Sequence, residues 1–98
     1  MAYKYLSLKK IDKWVPVMRV LGVSVVARSR SGFLAAYRRA GGKPARLSEY
    51  WRNRRDNFIK RHMAQVKLNR EPLFEDGFPT RRHLALVAWA YSPAAGRI

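Results

Sequence analysis

The chain predicts an all-α fold, a compact single domain of four to five helices, and three observations predict it. Apolar residues recur at helical spacing in three separate stretches, around Leu8–Leu21, Phe33–Tyr37 and Trp51–Val66. No pair of convincing strands is present to form a sheet. Capping residues, glycines and prolines punctuate the intervals. With 98 residues, a second domain would leave neither half enough core, so residues 1–98 read as one unit. Its 48% hydrophobic and 28% charged content suits a folded chain rather than a disordered tail.

Residues 1–6 show no period and read as a flexible arm, with Tyr3 and Tyr5 able to pack back. Leu8, Ile11, Trp14, Val15, Met18 and Leu21 then form a helical stripe. Pro16 interrupts it, and a mid-helix proline costs about 3 kcal/mol. The expectation is a break or kink there, with Gly22 as the stop. Residues 23–29 suit a strand by their valines and a short helix by Ser24 as a cap; the lack of a partner strand favours helix. Residues 31–42 read as a helix capped by Ser31, with Arg38 and Arg39 in the last turn and Gly41 just past its end.

The long stretch at about 48–69 is the dominant element. It lacks Gly and Pro, and Ser48 stands where an N-cap is wanted. On a helical wheel Trp51, Phe58, Ile59, His62 and Val66 share one side, while Arg52, Lys60 and Lys67 lie opposite. Arg52–Asp56 and Asp56–Lys60 are spaced for i,i+4 pairing. Residues 71–79, broken by Pro72, Asp76-Gly77 and Pro79, read as a loop. Thr80 caps a final helix at about 81–91, apolar enough to lie buried, and residues 92–98 read as a flexible tail.

Charge is the outlier of the composition. Lys+Arg number 21 against 6 Asp+Glu, a net charge of +15. Between Arg28 and Arg70 thirteen cations face only Glu49 and Asp56, whereas residues 71–98 are neutral overall. Such a field works against compactness and is relieved by a polyanion, so DNA or RNA is the expected partner. Arginine outnumbers lysine, which favours planar bidentate contacts to phosphate. The expected function is therefore that of a small, basic, non-catalytic nucleic-acid-binding protein. Its phosphate contacts are expected from Arg38, Arg39, Lys43, Arg46, Arg52, Arg54, Lys60, Arg61 and Lys67, with Tyr50 as a stacking ring.

Other readings are carried beside it. The basic surface also fits an accessory module docking an acidic protein. His62 and His83, the side chains that titrate near neutrality, would suit a metal-independent ribonuclease or toxin. A helix-turn-helix around Gly22 would bring Ser24, Arg28 and Arg30 to a groove, but Arg28 stands where that motif needs an apolar residue. Cationic amphipathic helices also bind anionic bilayers. Arg55 projects towards the apolar side and needs a partner, such as Glu71, Glu75 or Asp76, or else reaches out to solvent. No cysteine is present, and the scattered acids match no metal-ligand spacing, so neither metal nor cofactor is expected. No apolar run reaches transmembrane length, and lysines stand where a signal peptide would place its apolar region; a soluble, cytoplasmic protein is the expectation.

Overall fold

A computed structural model describes residues 3–98. Helix α1, Leu8–Leu21, starts at Ser7, whose hydroxyl accepts the Lys10 N–H, and ends at Gly22 in the left-handed region (φ 66°). Gly22 and Val23 N–H groups both return to the Met18 carbonyl, closing the last turn. Contrary to expectation, α1 continues through Pro16 without a break. Ile11 and Met18 are fully buried on one face while Pro16 faces solvent, where water can take the Asp12 carbonyl that the ring leaves free. Packing of the buried face outweighs the local proline penalty.

Residues 22–31 are neither the favoured helix nor a strand but a run of hydrogen-bonded turns. Ser24 adopts φ 56°, which ends any regular repeat, and the Leu34 N–H donates to the Ala27 carbonyl to pin the run down. Gly32 sits where a Cβ would lie 2.2 Å from the Val26 carbonyl oxygen, so only glycine fits. Helix α2, Phe33–Arg39, therefore begins after Gly32 rather than at Ser31 and has no side-chain cap. Its end agrees with the sequence: Ala40 caps it and Gly41 follows at φ 66°.

Helix α3, Glu49–Asn69, is capped by Ser48, whose Oγ accepts the Trp51 N–H. The segment after it, expected as a loop, contains a two-residue hairpin of β1, Phe74–Glu75, and β2, Phe78–Pro79. Asp76 and Gly77 both have positive φ, the turn an Asp-Gly pair makes between antiparallel strands. Helix α4, Arg81–Val87, starts at Thr80, whose Oγ1 accepts the His83 N–H and donates to the Pro72 carbonyl. It stops short of the expected 81–91, because Ala90 turns left-handed at φ 59°.

That early stop is explained by Arg55. Its side chain is completely buried, and it finds none of the loop acids proposed for it, nor does it reach solvent. Instead Nε donates to the Trp89 carbonyl (2.8 Å), and the terminal nitrogens donate to the carbonyls of Ala90 (2.9 Å), Lys4 (3.0 Å) and Tyr3 (3.1 Å) and to Asp56 Oδ1 (3.2 Å). A guanidinium has five N–H donors, and all are matched. The cation also lies 3.5 Å from the centre of the Tyr5 ring. Burial pushes its pKa down, while the Tyr5 and Asp56 side chains oppose that shift, and an arginine remains charged throughout the physiological range.

The four α-helices form a compact single-domain bundle, with α4 packed on both α1 and α3, and α2 on α3. A column of rings runs through it: His62, Phe58, Trp89, Phe33 and Tyr37 stack in turn at centroid separations of 3.9, 4.7, 5.0 and 5.6 Å. Both ends of the described part join this core. Of the segment expected as a flexible arm, residues 1–2 lie outside the described part, and Leu6 is buried with its N–H on the Ala90 carbonyl and its own carbonyl on the Tyr37 hydroxyl. At the other end, expected as a flexible tail, Ile98 is buried and Arg97 covers the Phe74 ring at 4.3 Å.

Replacing Arg55 with Ala removes the donor from the Trp89, Lys4 and Tyr3 carbonyls, while Ala90 keeps the Leu6 N–H, and we expect a loss of about 3–5 kcal/mol. Lysine, with three donors and no planar fork, should rescue little of it. Urea denaturation of both variants checks this; wild-type stability for Arg55→Ala would contradict the assignment. Trp14 Nε1 is buried without a hydrogen-bond partner among the described residues. Trp14→Phe should therefore cost little, or even stabilise, despite the loss of a ring from a packed position.

Candidate nucleic-acid interface

The outward surface of α3 is built from two strips of side chains. Tyr50, Arg54, Asn57 and Arg61 follow one another along the helix within a narrow arc, because their spacings of four, three and four keep them on one side. From Arg54 to Arg61 is two turns, about 10.5 Å along the axis. Arg52, Lys60 and Lys67 form the second strip, further round the helix and exposed. The inward face carries Arg55, Ile59 and Val66, as the wheel predicts.

Arg54, Asn57 and Arg61 line a cleft of about 230 Å³ whose floor is made by Phe58 and Trp89. The ring faces of Phe58 are already covered, by His62 on one side and Trp89 on the other, so a base entering there meets ring edges. Trp89 is a core residue. Tyr50 is different: it is 58% exposed, and its hydroxyl accepts a 2.7 Å hydrogen bond from Arg54. The Arg54 guanidinium also lies 5.6 Å from the Trp51 ring centre, which holds the cation against the surface.

Arg39 and Arg46 meet Ser48 and Trp51 around a second cleft, of about 250 Å³, at the start of α3, and Lys43 is exposed on the connection between them. Arg38 does not join these residues. It turns towards α1 and pairs with Asp12 through two hydrogen bonds of 2.6 and 3.1 Å, and the Asp12 contact holds its pKa above the ordinary arginine value. Thus α2 directs its two terminal arginines to different faces.

Compensating acids are scarce on this surface. Among the described residues the ion pairs are Arg38–Asp12, Arg55–Asp56 and Arg82–Glu71. The pairs anticipated within α3 are not made: Asp56 turns to Arg55, leaving Arg52 and Lys60 without an ionic partner. The buried guanidinium offers a stronger field than an exposed one, which is why Asp56 takes it.

His62 and His83 do not assemble a reactive pair. His83 is buried; its Nδ1 donates to the Leu73 carbonyl at 2.8 Å, so its Nε2 carries the lone pair and accepts from the Ser92 hydroxyl at 2.6 Å. His62 lines a cleft of about 380 Å³ with Glu71, Arg81 and Arg82. Arg82 donates to His62 Nδ1 (2.7 Å), to Gln65 (2.9 Å) and bidentately to Glu71. In the neutral ring Nε2 then holds the proton, and neither imidazole offers a free basic nitrogen. The segment that would have been the second helix of the alternative helix-turn-helix is a run of turns, so that motif is not formed. No group of three or more metal-ligating side chains occurs among the described residues, and none of their helices is long and apolar enough to cross a membrane.

Arg82 had no role in the sequence reading, although a signal was present. Cations in the first turn of a helix oppose its dipole, so Arg81-Arg82 at the start of α4 calls for partners elsewhere. Arg81 donates to the Leu21 carbonyl and Arg82 binds Glu71.

Both histidines have depressed pKa values, chiefly through burial; Arg82 and Arg61 depress His62 further, while the Leu73 contact partly offsets the shift at His83. A group depressed on folding leaves the unfolded chain holding more protons, so stability rises with pH across the affected window. Stability should be complete above about pH 6.5 and decline as pH falls from there towards the lower folded-state values. Urea midpoints at pH 8 and pH 5, with histidine resonances followed by NMR, check this; a flat profile would contradict it. Compared with protein-family models, curated proteins and solved structures, the chain matches none of them.

Proposed function

We propose that this protein binds nucleic acid without catalysing a reaction on it, mainly through phosphate contacts along α3. The observation that carries this reading is the alignment of Arg54 and Arg61 beside exposed Tyr50, with Arg52, Lys60 and Lys67 close by and, among the described residues, no acid paired to any of them. Arginine forks suit phosphate oxygens, and an exposed ring among cations suits a base that has left its stack. Because the other rings of this surface are stacked on one another or turned inward, backbone charge rather than base contact supplies most of the affinity. Arg39, Lys43 and Arg46 extend the same basic surface past the start of α3.

The test is a salt-titrated binding assay on short DNA and RNA, single- and double-stranded. With six to ten phosphates engaged, affinity should drop about 10³–10⁵-fold between 50 and 200 mM salt. Arg54→Glu with Arg61→Glu should weaken binding to every sequence and reduce the salt slope by about one for each lost contact. Tyr50→Ala should cost about 1–3 kcal/mol on single strands and little on duplexes. A response indifferent to salt, or full affinity in the double variant, would overturn the proposal. A defined complex with an acidic protein that survives nuclease treatment would favour the accessory-module reading instead.

A further inference from the structure

A second arginine cluster lies away from α3. Arg19 from α1, Arg28 and Arg30 from the turn run, and Arg38 from α2 converge on one concavity of about 260 Å³, with Ser29 and the apolar Leu34 also in its wall. Only Arg38 has a carboxylate partner, Asp12. The side chains of Arg19 and Arg30 make no hydrogen bond or ion pair among the described residues, and Arg28 uses its Nε on the Val23 carbonyl at 2.9 Å. That bond fixes the plane of the Arg28 guanidinium and leaves its terminal nitrogens free.

The backbone that carries Arg28 and Arg30 is held in place. The Arg28 N–H donates to the Ser24 carbonyl, Ser29 Oγ donates to the Val26 carbonyl at 2.7 Å, and Gly32 is pressed against Val26 and Ala27. Like charges gathered on a framed segment raise the free energy of the empty site, and a compact multivalent anion relieves it. Three guanidinium groups arriving from two separate segments, α1 and the turn run, suit the oxygens of a tetrahedral phosphate better than the two coplanar oxygens of a carboxylate. Pockets for whole drug-sized molecules measure about 300–1,000 Å³, so this smaller one takes the phosphate end of a ligand and leaves the remainder outside.

We propose that Arg19, Arg28 and Arg30 form a binding site for a phosphomonoester or pyrophosphate group, separate from the α3 surface. This site does not depend on the nucleic-acid reading. Two sources share the chemistry: a soluble phosphorylated molecule, or the headgroup of an anionic lipid. The same turn run exposes Val25 and Val26, at 61% and 75%, which gives the lipid source a place for its apolar part.

Calorimetric titration with inorganic pyrophosphate, with sulfate as a control anion, tests the site. Co-sedimentation with phosphatidylcholine vesicles, with and without phosphatidic acid, tests the lipid source. Arg19→Gln with Arg30→Gln alters exposed side chains that have no partner, so the fold should persist, as a thermal melt would verify. That variant should lose at least about tenfold in affinity, whereas Arg54→Gln with Arg61→Gln, which removes the same charge from α3, should retain the wild-type value. Saturable pyrophosphate binding supports the site with a soluble source. Binding only to phosphatidic acid vesicles, with the same dependence on Arg19 and Arg30, supports it with a lipid source. Equal losses in the two double variants, equal affinity for sulfate, or no binding by either probe would overturn the proposal. Loss of nucleic-acid binding in the α3 variant alone leaves this result unaffected, so the two proposals fail separately.

Discussion

The buried guanidinium of Arg55 is the interaction on which the other parts of the structure depend. It connects three segments distant in sequence: the chain before α1, the second turn of α3 and the turn that ends α4. The carbonyls of Trp89 and Ala90 lie just past the C-cap of α4, and a side chain from another helix donates to both of them. An isolated charge in the interior is expensive, and this one is tolerated because every donor is matched and Tyr5 supplies a ring face. The left-handed Ala90 follows from the same arrangement, since it turns its carbonyl towards both Arg55 and the Leu6 N–H.

The acidic residues are few, and their placement organises the basic surface. Asp12 joins α1 to α2 through Arg38, Glu71 joins the hairpin segment to α4 through Arg82, and Asp56 meets Arg55 at the edge of the core. With half of the 6 acids committed at these junctions, the cations of α3 and of the turn run have little to neutralise them. The high net charge is therefore divided by the fold into separate clusters with different geometry. Along α3 it forms an extended strip, suited to a repeating polyanion. Between α1 and α2 it lines a concavity, suited to a compact anion.

Much of the local structure was legible in the residues. Ser48 and Thr80 accept the expected backbone N–H groups, Gly22 and Gly41 end their helices, and the inward face of α3 is the one its spacing indicates. The misreadings fall where a distant contact competes with a local preference. Pro16 is tolerated because Ile11 and Met18 are fully buried around it. The apolar run after Val87 reads as more helix, yet its carbonyls are taken by Arg55. The Asp76-Gly77 hairpin is another kind of miss: its turn signal was present, and strands of two residues are too short to show alternation.

By itself, then, the sequence determined the all-α class, the caps, the dominant helix and the concentration of positive charge between Arg28 and Arg70. Those properties rest on neighbours within a few residues, or on composition, and both are written along the chain. Only the tertiary structure decided which cations have partners and which share a surface. Arg38 and Arg39 are adjacent in sequence, yet one is neutralised by Asp12 beside the α1–α2 concavity and the other lies free at the start of α3. Arg55 sits in the most basic helix and serves the core. Electrostatic partners and burial are set by distances in space, and those follow from packing between segments far apart in sequence.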